Sequence, residues 1–173
     1  MHVLGNDSRR EMEIRSYPAL VYVLVPLVAL VLQAWLSRVL VRWIWFDFPL
    51  MITAYFAMSR RSPIQGMSIG MVMGLLEDAL TGLPIGVNGI AKTIVGFLAA
   101  SVGLKIDVEN AAIRVMLTFV LSVAASLVNI YLYRGLLGMP LEWTWYNELF
   151  RAIGNALIVI FLFHLLDRFQ IRD

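Results

Sequence analysis

The sequence predicts an all-α polytopic membrane protein with six transmembrane helices. Two observations carry that prediction. The 173 residues are 60% hydrophobic and only 15% charged, where soluble domains carry about 25% charged residues, and the mean hydropathy is +0.79. The apolar residues also fall into six runs separated by short polar or glycine- and proline-bearing segments, and most of the runs approach the roughly 20 residues that cross a bilayer. A chain of this length has room for such a bundle and for no extramembrane domain. It has no cysteine, which excludes disulfides, thiolate metal sites and cysteine catalysis. Its two histidines, His2 and His164, stand at opposite ends of the chain and argue against a zinc site. A net charge of +2 is too small to point to nucleic acid.

Taken in order, residues 1–16 are too polar to be buried and are expected to form a cytoplasmic tail ahead of a bundle over 17–173. Arg9, Arg10 and Arg15 in that tail can meet anionic lipid, diluted by Asp7, Glu11 and Glu13. The first run, 18–35, lacks a small-residue cleavage site and reads as an uncleaved anchor. The second, 44–58, is shorter and contains Asp47 and Pro49, so it is expected to enter obliquely or with a kink. The remaining spans are expected over 64–80, 87–104, 111–133 and 149–166. Arg9, Arg10, Arg15, Arg60, Arg61, Lys105, Arg114, Arg168 and Arg172 would share one side, against Arg38, Arg42 and Arg134 on the other. Positive loops stay in the cytoplasm, so both termini are expected inside. Trp35, Trp43, Trp45, Trp143 and Trp145 then form an aromatic belt at the outer interface.

Lys92 and Arg151 fall within spans, where a charge costs about 2.5 to 3.5 kcal/mol, so both need partners. The third span places Gly66, Gly70 and Gly74 on one side, with Glu77 and Asp78 at the two edges of that stripe. On the fourth, Lys92, Gly96, Ala99, Ala100 and Gly103 share a face, so small residues can pack against small residues as membrane helices require. Because the two spans run in opposite directions, Glu77, Asp78 and Lys92 lie at one level near the outer surface. Gln33, Asp47, Asn129, Arg151 and Asn155 fall in the same half, and Thr118, Ser122, Ser126 and Asn129 give the fifth span a polar stripe.

A polar nest beneath the outer surface is therefore expected, with two readings. In one it is structural, pairing Asp78 or Glu77 with Lys92 or Arg151 to fix helix packing. In the other it is an outward-open cavity for a ligand or a partner's side chains. Glu77 and Asp78 point about 100° apart, so one of them faces the nest, and Asp78 is the one expected to do so. His164 reads as an interfacial residue beside Asp167 and Arg168, and Met67, Met71 and Met73 as lipid-facing or packing bulk.

The segment "TGLPIGVNG", with Gly82, Pro84, Gly86 and Gly89, reads as a tight turn whose backbone groups Asn88 satisfies. No Gly-Lys-Ser/Thr follows it and no strand precedes it, so it is not read as a phosphate cradle. No acid has a histidine at matching depth and no nucleophile has a base. Neither an enzyme nor a bound cofactor or metal is expected.

The stretch Gly74-Leu75-Leu76-Glu77-Asp78, followed by Gly82, Pro84, Gly86 and Asn88 and then Gly96-Phe97-Leu98, resembles the hallmark of the rod shape-determining protein MreD family. Length, span count and orientation are similar too. The polar tail is longer than in many members, and Ile90 and Ala91 stand where small and leucine-like residues are commoner. The resemblance implies a non-enzymatic subunit of the cell-elongation machinery in the bacterial cytoplasmic (inner) membrane, supporting peptidoglycan synthesis. It implies direct binding of MreC, with MreB, RodA and a class B penicillin-binding protein in the wider complex. It also implies a fold similar to the S-components of energy-coupling-factor transporters, which leaves binding of a small vitamin as the alternative function. On the MreD reading Glu77, Asp78, Gly82, Pro84, Gly86, Asn88, Lys92 and Arg151 shape the surface that docks MreC.

Overall fold

A computed structural model describes residues 17–39, 46–106, 108, 110–139 and 144–169. Six helices follow one another: α1 (Ala19–Val39), α2 (Phe48–Arg60), α3 (Pro63–Thr81), α4 (Val87–Gly103), α5 (Ala111–Ile130, continued by a π-helical turn over Tyr131–Leu136) and α6 (Trp145–Asp167). No strand occurs among the described residues. The 1–16 tail, Arg42, Trp43, Trp45, Trp143 and Arg172 lie outside them.

Three helices, α1, α6 and α5 with its π turn, are long and apolar enough to cross a membrane. Their outward faces are apolar: Leu20, Val31, Met116, Leu127, Leu157 and Phe161 are all exposed. In water such a surface would drive aggregation. In lipid it is the solvated face.

α2 is the exception. Every residue from 49 to 59 is buried, so the helix is surrounded by protein and need not match the bilayer by itself. Its 13 residues span about 20 Å, short of the roughly 30 Å hydrocarbon core. The helix begins at Phe48 rather than near 44 because Asp47 caps it, accepting the Leu50 N–H at 2.8 Å, with Pro49 in the first turn, where a missing N–H costs nothing. It ends where Arg61 turns left-handed (φ 50°) ahead of Pro63, which opens α3. Asp47 is thus a cap and not the site of a kink.

α3 and α4 pack backbone on backbone. A Cβ added at Gly66, Gly70 or Gly74 would come closer than 3.0 Å to the carbonyl oxygens of Gly96, Lys92 and Asn88 respectively. Those three pairs define one antiparallel register, stepping four residues at a time. The hairpin closes through Gly82 and Gly86, whose φ values of 70° and 104° lie in the region that residues with a Cβ avoid. Of the methionines read as lipid-facing or packing, Met67 and Met71 are exposed and Met73 is buried. We call the end carrying the α1–α2, α3–α4 and α5–α6 connections the upper end, and the opposite one the lower end.

Candidate functional site

At the upper end a single chain of polar contacts ties all six helices together. Lys92, on α4 and 1% exposed, holds its Nζ 3.0 Å from Asp47 Oδ2 and 2.6 Å from Glu77 Oε2. Asp47 is fixed in turn by Asn155 on α6, whose Oδ1 accepts the Asp47 backbone N–H at 2.9 Å. The Asn155 Nδ2 donates to Ser122 Oγ of α5 at 3.0 Å. From α1, Gln33 brackets the cap, donating to the Phe46 carbonyl and accepting the Phe48 N–H, both at 3.2 Å. A buried ammonium costs several kcal/mol to desolvate, and two carboxylates with these supporting contacts are what let it remain charged.

Asp78 does a different job. It is fully buried and accepts backbone N–H groups from Gly86 at 2.8 Å, Asn88 at 3.2 Å and Gly89 at 3.4 Å, together with the Asn88 side-chain amide at 2.8 Å. Gly86 has no side chain to cap α4, so Asp78 supplies the cap from α3, where a negative charge also meets the positive end of the helix dipole. Asn129 of α5 donates to Asn88 Oδ1 at 3.3 Å and extends the cluster.

This corrects the expectation that Asp78 faces the nest: Glu77 is the counter-ion of Lys92. The glycine register explains why. Gly70 sits at the Lys92 carbonyl and Gly74 at that of Asn88, so one more turn carries position 78 to the hairpin turn. The neighbouring Glu77, rotated by about 100°, looks back toward Lys92. Asn88 does not satisfy the turn alone, because Asp78 takes most of its N–H groups. Arg151 departs from expectation as well. It is 41% exposed and lies 3.5 Å from Glu148 one turn earlier on α6, so it pairs with neither Glu77 nor Asp78.

Above these groups the upper end holds a cavity of about 490 Å3. Asp47, Glu77 and Asn88 line its floor side, and Asn129, Tyr133, Glu148 and Arg151 line the α5–α6 side. The π-helical turn, closed by the Leu137 N–H on the Leu132 carbonyl at 2.9 Å, carries Tyr133 into this wall. Glu148, one residue before the expected span, lies in the first turn of α6 and accepts the Ser126 hydroxyl at 2.5 Å. Its signal was the polar stripe of α5, which offers Ser126 to whatever faces it. Among the described residues no three His, Asp or Glu side chains converge to hold a metal ion. Lys92 stands between Asp47 and Glu77.

The lower end also holds charge, partly buried. Asp167 accepts the Tyr55 hydroxyl at 2.8 Å and meets the Arg114 guanidinium at 2.6 Å, and the Tyr17 and Tyr55 hydroxyls share a 2.8 Å hydrogen bond. Arg114 reaches the Val108 carbonyl and lies over the Phe163 ring, 5.7 Å from its centroid. His164, expected beside Asp167, is exposed, while Asp167 turns inward to Tyr55 and Arg114. Asp167 lies 53 residues from Arg114 and 112 from Tyr55 in the chain, which left the group illegible beforehand.

Six helices of alternating direction, an apolar exterior and an ion network at one end define a polytopic helical membrane protein. A family model described as rod shape-determining protein MreD matches residues 13–170, nearly the whole chain. The protein belongs to the MreD family and has its role in rod shape determination, within a family of shape-determining structural components. No curated protein and no solved structure matches the chain, so the expected likeness to S-components gains no support from known folds.

Proposed function

We propose that the protein is a non-catalytic scaffold of the bacterial elongation machinery. It binds MreC within the cytoplasmic membrane, joins MreB, RodA and a class B penicillin-binding protein through the wider complex, and so supports peptidoglycan synthesis. Membership of the MreD family supports the process. The positive-residue bias supports cytoplasmic termini and an upper end that faces the extracytoplasmic side. The observation that carries the scaffold role is the polar chain from Gln33 through Asp47, Lys92 and Glu77 to Asn155 and Ser122. It locks six helices at one end, and a docking surface that stays in shape loses less on binding. Asp78, Gly82, Pro84, Gly86 and Asn88 present the α3–α4 turn as part of that surface.

Pull-down of MreC from detergent extracts tests the reading. Wild-type protein retains MreC, and Asp78→Ala, which frees the start of α4, retains less at equal membrane levels. Undiminished retention contradicts the role of Asp78, and failure of the wild type to retain MreC contradicts the scaffold reading. The cavity favours a second reading, vitamin binding as in S-components. A thermal-shift screen of vitamins on the purified protein tests it, and a nanomolar hit would displace the first.

A further inference from the structure

The cavity at the upper end has the size of a small-molecule site, about 490 Å3 within the 300–1,000 Å3 that such sites occupy, and its charges do not balance. Among the described residues three carboxylates line it, those of Asp47, Glu77 and Glu148, against one cation, Arg151. Behind the wall Lys92 adds one positive charge and Asp78 one negative. Arg38 and Arg134, the other cations described at this end, do not line it. The described surroundings therefore carry four negative charges and two positive.

Two atoms sharpen the imbalance. Glu77 is 6% exposed, and its Oε2 meets the Lys92 ammonium at 2.6 Å. Its one close counter-charge is an ammonium that it shares with Asp47. Asn129 Oδ1, at the opposite wall, is a buried acceptor that receives no hydrogen bond. An unmatched buried acceptor costs about 1 to 3 kcal/mol, and excess negative charge in a low-dielectric recess costs more than it would in water. Both costs fall when a multi-donor cation enters.

We propose that this cavity binds an organic cation, a primary ammonium or guanidinium group, held between the Asp47–Glu77 wall and Glu148 with Asn129 as a further acceptor. The cation is either a free small amine or the Lys or Arg side chain of a docked partner. The chemistry is common to both. Only the side from which it arrives rests on the orientation proposed above.

The test uses the full chain, purified in detergent, with Nα-acetyl-L-arginine ethyl ester as the probe and neutral Nα-acetyl-L-citrulline ethyl ester as its control, followed by thermal unfolding and tryptophan fluorescence. The arginine ester gives a saturable rise in Tm that weakens with added salt. Citrulline ester binds at least about tenfold more weakly. Glu148→Gln and, separately, Asn129→Ala each weaken the arginine ester severalfold while the apo protein keeps its helical spectrum. Equal responses to the two esters, or an unchanged response in both variants, overturn the proposal. Adding saturating arginine ester to the complex with MreC then separates the sources. Release of MreC identifies a partner side chain as the natural cation, and retention identifies a free amine. If the wild type holds no MreC but binds the ester, the scaffold reading fails and this one stands.

Discussion

At the upper end Lys92 stands between Asp47 and Glu77 beneath a cavity of about 490 Å3. At the lower end Arg114 meets Asp167 beside a gap of about 10 Å3, barely the space of one water. Both ends hold ion pairs by recruiting partners from distant helices, yet the gap beside the lower pair is far smaller than the upper cavity. The lower group resembles a latch: Tyr17, Tyr55, Arg114 and Asp167 use their polar atoms on one another and on nearby backbone, and aromatic rings close over them. The upper group adjoins open space and has more carboxylates than cations among the described residues. A buried ion pair by itself therefore says little about function. What separates structure from site is whether the charges balance and whether space adjoins them.

The largest effect that could break this comparison comes from Lys92→Met. Removing the ammonium strands two carboxylates, so a loss of about 3 to 5 kcal/mol is expected, read as a large fall in Tm and in membrane abundance. Adding Glu77→Gln to that variant should restore part of the loss, because one stranded charge disappears. Asp78→Asn comes next, at roughly 1 to 3 kcal/mol. It keeps the shape but weakens a charged cap, and hydrogen exchange should rise first at Gly86, Asn88 and Gly89. At the lower end Tyr55→Phe removes the hydroxyl shared by Tyr17 and Asp167, and a loss of about 1 kcal/mol is expected with no change in arginine ester binding. Arg151→Gln should be smallest for stability, about 0 to 1 kcal/mol, since the side chain is half exposed. It removes the one cation among the described residues lining the cavity, so ester binding should tighten rather than weaken. A stability cost for Arg151→Gln matching that of Lys92→Met would erase the distinction between the two cations.

Much of the architecture was legible because lipid imposes simple rules. Apolar runs marked the helices. Pro63 and Gly82 fall where α3 begins and ends, and the four-residue spacing of Gly66, Gly70 and Gly74 announced a close helix pair. The level of Glu77, Asp78 and Lys92 followed from topology alone. Their pairing did not, since choosing between adjacent acids needs the α3–α4 register, and that register depends on which carbonyl each glycine meets. Asp47 was placed at the right depth, but its role as cap and counter-ion depends on Asn155 and Gln33, which lie 108 and 14 residues away in the chain. The Tyr55–Asp167–Arg114 group depends on how α2, α5 and α6 meet at the lower end, and no local pattern encodes that. α2 was misjudged at its start because the Asp47 cap, and not hydropathy, sets where the helix begins.

The division of labour between the neighbouring acids is tested most directly by double-mutant cycles on reversible unfolding in mixed micelles, pairing Lys92→Met with Glu77→Gln and, separately, with Asp78→Asn. A coupling of at least about 1 kcal/mol for Glu77 with Lys92 and a clearly smaller one for Asp78 is the predicted result. A larger coupling for Asp78 would contradict the account.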